Sequence, residues 1–279
     1  MNIHLYTTDI SAFRLLHALP KKEQIKVTAI IIPENRTSTK KVIELISGIQ
    51  DTPIYIQTKK GWSLDGIPDA DIAISWLYSQ FIPSNILDTY AYGILNMHGG
   101  KIPQYRGANV LQWAIINGEN ELGITWHTMV YEIDAGPIWA ESSIPVSHKD
   151  NALDLRKSLI KEGIRTFPEA WGNCINPIKV GKMPDLTKGR YWRPRKPEDG
   201  RIFPGMTIKQ VKDMIRALPK PWPGPTIKVN SSWKEIKYAS MLPVDGSVSY
   251  ETVGGVIIYL VLTDHDTVRG KYRIQDINA

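Results

Sequence analysis

Five short runs are apolar almost throughout: Ile3–Tyr6, Val27–Ile32, Ile54–Ile56, Ile72–Trp76 and Gly93–Leu95. A strand that is polar on one face alternates; a run without alternation suits a strand buried on both faces. Asp9–Leu19 runs at helical spacing and Lys40–Ile49 is amphipathic, so strands and helices take turns along the N-terminal part of the chain. That order predicts an α/β fold, a Rossmann-like layout with a mostly parallel sheet covered on both faces. The first turn reads Thr7-Thr8-Asp9. A Gly-rich turn that cradles a pyrophosphate is absent there, so no nicotinamide cofactor is expected.

The pattern then changes. Asn109–Asn117 predicts a helix with Asn109 as its cap and Gly118 as its stop. Gly123–Val130 and Gly136–Ile144 read as two strands about the loop Glu132–Ala135, and Ala152–Ile175 as a long helix capped by Asp150. Pro and Gly crowd the stretch 179–204, which reads as a linker or wrapped loop. Beyond it come a helix over Thr207–Leu218, a rigid turn over Pro219–Pro225, and β-type runs at Ile227–Val229, Val253–Leu262 and Lys271–Ile274. The expected organisation is a main domain over 1–178, the linker 179–204, and a small α+β or β appendage over 205–279.

Composition narrows the class. A chain of 279 residues with 42% hydrophobic content and 9 Trp can bury a substantial core. Cys174 is the sole cysteine, which excludes a disulfide framework and a Cys-based metal site and favours a reducing compartment. There is no HExxH, CxxC or His cluster, so no metal is expected. No basic leader with an apolar core opens the chain and no run suits a membrane span, so a cytoplasmic location is expected. The formal charge of +6 suits a nucleic acid, a diphosphate or another polyanionic ligand equally, and does not choose among them.

The chemistry concentrates where the fifth run ends. Asn96-Met-His98 follows Ile94-Leu95, and Gly99-Gly100 breaks the chain directly after. Side chains two apart on a strand share a face, so Asn96 and His98 converge at a sheet edge. An amide that cannot titrate beside an imidazole that can suits acyl or formyl transfer: one stabilises an oxyanion, the other moves a proton. Asp134, on the later loop, could hold that imidazole.

Asn96-x-His98-Gly, Pro103-x-Tyr105-Arg106-Gly107, Gly123-Ile-Thr-Trp-His127-x-Met129 and Ile133-Asp134-x-Gly136 together resemble the folate-dependent formyltransferases. The likeness is dense from Asp71 to Ile144 and returns at Arg195–Ile202 and Ile215–Gly224. It implies a formyltransferase fold, with Asn96, His98 and Asp134 as the catalytic triad. It further implies N10-formyltetrahydrofolate as formyl donor, its pterin pocket lined by Leu77, Tyr78, Phe81 and Ile133. Lys101, Gln104, Tyr105, Arg106 and Trp113 are the expected substrate contacts, Arg106 as an anion partner; His127 is read as supporting rather than catalytic.

Within the family the chain resembles the sugar-nucleotide N-formyltransferases more than methionyl-tRNA formyltransferase. It lacks the tRNA enzymes' Gly-Thr-Pro opening turn and their basic insertion after Pro33, and it reads Gln112-Trp113-Ala after the Arg-Gly pair. The acceptor implied is a nucleotide-linked amino sugar, a 4-amino-4,6-dideoxyhexose by the family's habits, of the kind used in surface polysaccharides. A homodimer is expected and nucleic acid is not. A non-catalytic nucleotide-binding module is the reading from another class, and the intact Asn96, His98 and Asp134 argue against it.

Overall fold

A computed structural model describes residues 1–21, 24–34, 43, 44, 52–58 and 62–263. The chain separates into two interleaved compact units. One comprises Met1–Arg106, Gly123–Ile144 and Leu159–Tyr191; the other comprises Gly107–Leu122, Pro145–Ser158 and the chain from Trp192 onward. The expected boundaries at 178 and 204 run along the chain, whereas these units exchange segments.

The first unit is built on the sheet that the apolar runs predict. Its strands are β1 (Asn2–Thr7), β2 (Lys26–Pro33), β3 (Ile54–Gln57), β4 (Ile72–Trp76), β5 (Ile94–His98), β7 (Glu121–Thr128) and β8 (Ile138–Pro145), with the two-residue β6 (Arg106–Gly107) between β5 and β7. The order is β3-β2-β1-β4-β5-β7-β8. Pairing is parallel from β3 to β5, and β7 then runs antiparallel to β5. Every residue of β4 is buried, as a strand covered on both faces requires.

Aromatic side chains fill both layers. On one side Trp76 stacks on Trp126 at 5.8 Å between ring centres, and Trp126 meets Phe167 of the helix Ala152–Cys174 at 5.2 Å. The indole N–H of Trp126 is shared between Gly163 O and Thr166 Oγ1, so its burial leaves no donor unpaired. In another cluster, Tyr6, Ile82, Tyr90 and Ile94 pack together with Ile86 of the short helix Ser84–Leu87. There the Tyr6 and Tyr90 hydroxyls lie 2.6 Å apart, and Tyr90 reaches His4 Nδ1 at 2.8 Å.

In the second unit, the helix Ile208–Ala217 packs on the helix Val110–Ile116. Thr207 caps the former: its hydroxyl accepts from Gln210 N, and Gln210 Oε1 accepts from Thr207 N. After β9 (Tyr191–Trp192) a five-stranded sheet follows, of β10 (Arg201–Ile202), β11 (Thr226–Val229), β12 (Ser232–Ser240), β13 (Val248–Glu251) and β14 (Ile257–Leu262), ordered β10-β11-β12-β14-β13.

Local expectations differ from the structure in four places. The first helix spans only Ala12–Leu16. Asn109 sits at the N-cap position with φ +54°, and its side chain makes no cap bond; Oδ1 instead accepts from Arg195 N at 2.9 Å. The long helix is capped by Asn151, whose Oδ1 accepts from Leu153 N and Asp154 N, while Asp150 Oδ2 accepts from Ser147 N. An Asx residue one position nearer the first turn reaches its amide donors better. Finally, β5 continues through Asn96 and His98 instead of ending before them. The expected helix Lys40–Ile49, apart from Ile43 and Glu44, and the expected strand Lys271–Ile274 lie outside the described residues.

Candidate active site

Register brings the site together. In the antiparallel β5–β7 pair, Asn96 lies opposite His127 and His98 opposite Thr125. Cross-strand neighbours on one face touch directly, so His127 faces the Asn96 amide. Asn96 Nδ2 is 3.1 Å from His127 Nε2, and His127 Nδ1 is 3.0 Å from the carbonyl oxygen of Thr128. A carbonyl only accepts, so the neutral His127 carries its proton on Nδ1 and Nε2 accepts from Asn96. That contact uses one of the two amide N–H groups of Asn96.

His98 is fixed by the same logic. Its Nε2 lies 2.5 Å from the Tyr105 carbonyl, which places the proton on Nε2 and leaves Nδ1 as the basic nitrogen. Nδ1 faces Asp134 Oδ2 at 3.4 Å, and the other oxygen, Oδ1, lies 3.3 Å from His127 Nε2. The Asp134 carboxylate therefore lies between two imidazoles, and all three side chains are at most 10% exposed. A proton arriving at His98 Nδ1 meets a carboxylate already in place.

Two glycines make room for this arrangement. A Cβ at Gly100 would stand 2.5 Å from the Tyr105 carbonyl oxygen and 2.7 Å from His98 Nε2, inside the bond that sets the tautomer. A Cβ at Gly136 would stand 2.0 Å from the Thr128 carbonyl oxygen, so only glycine lets the Asp134 loop fold this closely onto β7. Asp134 itself adopts φ +51°, a left-handed conformation that Asp tolerates better than most residues.

The remaining expected residues take varied positions. Lys101 and Gln104 are exposed on a groove of about 590 Å³ shared with Thr125, Lys182 and Asp185. Tyr105 contributes its carbonyl to His98. Arg106 is buried, and its guanidinium reaches Ile133 O at 3.0 Å and Glu132 Oε1 at 2.7 Å. Leu77 has φ +50° and its carbonyl accepts from Thr8 Oγ1. Tyr78 packs edge-on to Tyr6 at 5.4 Å; its hydroxyl is buried without a partner among the described residues, and burial pushes the phenol above its ordinary range. Phe81 and Ile133 are 57% and 41% exposed. Trp113 belongs to the second unit, where it lies 5.2 Å from Trp192 and donates Nε1–H to Arg193 O.

Three features of the site are not apparent from the local sequence pattern. The Tyr105 carbonyl is the tautomer anchor of His98, a backbone role that no side-chain motif announces. His127 is an integral part of the hydrogen-bond network, which becomes visible only once the β5–β7 register is known. Arg106 grips the loop that carries Asp134.

The formyl transferase family model matches residues 67–171, a span that includes Asn96, His98, His127 and Asp134. Over that span the chain is similar to the formyl transferase family. The bifunctional polymyxin resistance protein ArnA of Wigglesworthia glossinidia brevipalpis is 36% identical over 158 residues, which is 55% of this chain. The matched part spans about a quarter of that protein, 24% of its length. Among solved structures, WlaRD, a sugar 3N-formyl transferase crystallised with dTDP and 5-N-formyl-THF, superposes with a TM-score of 0.69 at 18% identity, over 95% of this chain and 98% of that one. A 4-N formyltransferase from Francisella tularensis gives 0.65 at 19% identity, over 83% and 94%. At those identities the likeness is one of fold. The α/β fold is thus one shared with those proteins, as the sequence predicts. Among the described residues no helix is long and apolar enough to cross a membrane.

Proposed function

We propose that this chain is an N-formyltransferase that moves a formyl group from N10-formyltetrahydrofolate to the amine of a nucleotide-linked amino sugar. The carrying observation is the Asn96–His127–Asp134–His98 array, in which His98 Nε2 is held by the Tyr105 carbonyl and His98 Nδ1 is left basic beside a carboxylate. The Asn96 amide stabilises the oxygen that gains charge as the amine adds to the formyl carbon. His98 Nδ1 takes the proton that the amine sheds, Asp134 holds the resulting cation, and the proton passes to N10 as the bond from N10 to the formyl carbon breaks and tetrahydrofolate leaves. The donor brings a pre-activated formyl group, so the protein's contribution is positioning and proton handling.

Exposed apolar surface at Phe81 and Ile133 suits the flat face of a heterocycle, which supports Leu77, Tyr78, Phe81 and Ile133 as the folate contacts. Lys101, Gln104 and Tyr105 are assigned to the acceptor. A dTDP sugar is the first acceptor to try, since WlaRD was crystallised with dTDP. The amine at C4 remains our reading, in line with the Francisella tularensis protein's described 4-N position.

The test is a panel: 3-amino and 4-amino sugars on dTDP and UDP, and initiator methionyl-tRNA, each with enzyme and formyl-folate. Formylation of an amino sugar and not of the tRNA is the expected result. Formylation of the tRNA with the sugars untouched would overturn the acceptor assignment.

A further inference from the structure

Arg106 lies in the Tyr-Arg-Gly stretch where an anion partner is expected, yet it is only 8% exposed. Its planar fork is spent on one loop. Nε donates to the Ile133 carbonyl at 3.0 Å, and Nη2 to Glu132 Oε1 at 2.7 Å. These are the two residues before Asp134. The loop needs such a grip, because Asp134 holds a left-handed φ of +51° while its carboxylate lies between His98 and His127. A non-glycine residue keeps such a conformation only where its surroundings impose it. Gly136 holds the loop's far side against β7, where a Cβ would strike Thr128 O. Arg106 supplies the near side. The Glu132 end of the fork is 59% exposed, so the bond to the Ile133 carbonyl is the sheltered half.

We propose that Arg106 is a positioning residue, which sets the Glu132–Asp134 loop so that the Asp134 carboxylate meets both imidazoles, and is not a ligand for substrate phosphate. The proposal rests on the reading of Asn96, His98 and Asp134 as the proton-handling group of formyl transfer. Lysine keeps the charge but cannot donate along two diverging directions from a planar fork. A carboxylate displaced by a fraction of an ångström loses much of its effect in a site of this kind.

The experiment uses the full chain with Arg106→Lys, Glu132→Ala, Asp134→Asn and the Arg106→Lys/Asp134→Asn double variant. Steady-state kinetics are run with the amino-sugar nucleotide found active in the panel above. Amide hydrogen exchange of the loop 132–135 is followed alongside. For Arg106→Lys we expect kcat to fall roughly 10- to 100-fold with the acceptor KM within about threefold, the scale of a small misplacement. The double variant should be no slower than Asp134→Asn alone, because a misplaced group that is already disabled costs nothing further. Loop amides should exchange faster in Arg106→Lys while those of β4 and β5 keep their rates.

A raised acceptor KM with unchanged kcat would overturn the proposal in favour of a phosphate ligand, and so would losses that add in the double variant. Should Arg106→Lys fail to fold, Glu132→Ala at the exposed end of the fork carries the test. It should quicken loop exchange and lower kcat a few-fold, and no change in either overturns the proposal. The exchange measurement needs no turnover. A wild-type enzyme inactive on every acceptor would sink the formyl-transfer reading, while unchanged loop exchange in Arg106→Lys would sink the bracing role.

Discussion

Asn96 and His127 face each other across β5 and β7 with the amide Nδ2 3.1 Å from the imidazole Nε2. Since His127 Nδ1 is spent on the Thr128 carbonyl, Nε2 is an acceptor and the Asn96 amide is oriented nitrogen-first. An oxyanion donor depends on that orientation. Replacing His127 with Leu removes the acceptor, and we expect kcat to fall roughly 10- to 100-fold, somewhat less than the ~10²–10³ for deleting such a donor outright. His127→Gln, whose side-chain carbonyl can accept the same bond, should recover part of the loss. Turnover of His127→Leu equal to wild type, in a sample with an unaltered melting curve, would show that the amide needs no such hold.

His98 tests proton handling directly. His98→Asn keeps a polar side chain of smaller size and removes the basic nitrogen beside Asp134. We expect turnover to drop by at least ~100-fold, the usual scale for a lost acid–base group, with the fold intact by circular dichroism. Near-normal turnover would remove His98 from the chemistry.

Gly100 links packing to the tautomer. A methyl group there would lie 2.5 Å from the Tyr105 carbonyl oxygen and 2.7 Å from His98 Nε2, both fixed by the hydrogen bond between them. Gly100→Ala should destabilise the protein by about 1–3 kcal/mol, as overpacking does, and should also lower kcat because His98 loses its anchor. The two effects are read from a urea melt and from steady-state kinetics. A stable, fully active Gly100→Ala would mean the loop yields freely.

Acid stability should register the Arg193–Asp199 pair of the second unit. The two bonds from Arg193, at 2.7 and 2.6 Å, hold the Asp199 carboxyl down at about 2. A carboxyl with a lowered folded-state value stabilises the protein above the ordinary carboxylate range, and that contribution fades as pH falls through the range toward about 2. Arg193 is half exposed, so solvent screening keeps the effect small at neutral pH. Asp199→Asn should therefore be less stable than wild type at pH 7, with the gap closing as pH falls through the carboxylate range. A gap that is constant with pH would assign the loss to packing.

Much of the fold is legible because burial on both faces leaves an unbroken apolar run: Ile72–Trp76 is β4 residue for residue. Helix caps are harder to read, since neighbouring Asx residues compete for the same amides, as Asp150 and Asn151 do. The site is legible where one strand displays two polar residues on a face, as Asn96 and His98 do on β5. His127 is less so, because its partner is chosen by register, which local periodicity does not encode. Arg106 looks like a surface anion ligand in sequence, and only the fold reveals that its guanidinium is turned into the Asp134 loop.

The most direct measurement of the central claim is the pH dependence of turnover for wild type and Asp134→Asn, with an amino-sugar nucleotide and formyl-folate as substrates. Asp134 Oδ2 lies 3.4 Å from His98 Nδ1, and an amide there has no charge to hold an imidazolium. The account predicts acceptor KM within a few-fold, kcat lower by about two orders of magnitude, or ~3 kcal/mol at the transition state, and loss of the pH limb that belongs to the His98–Asp134 couple. Equal turnover numbers and superimposable pH profiles would contradict it and leave Asp134 a turn residue.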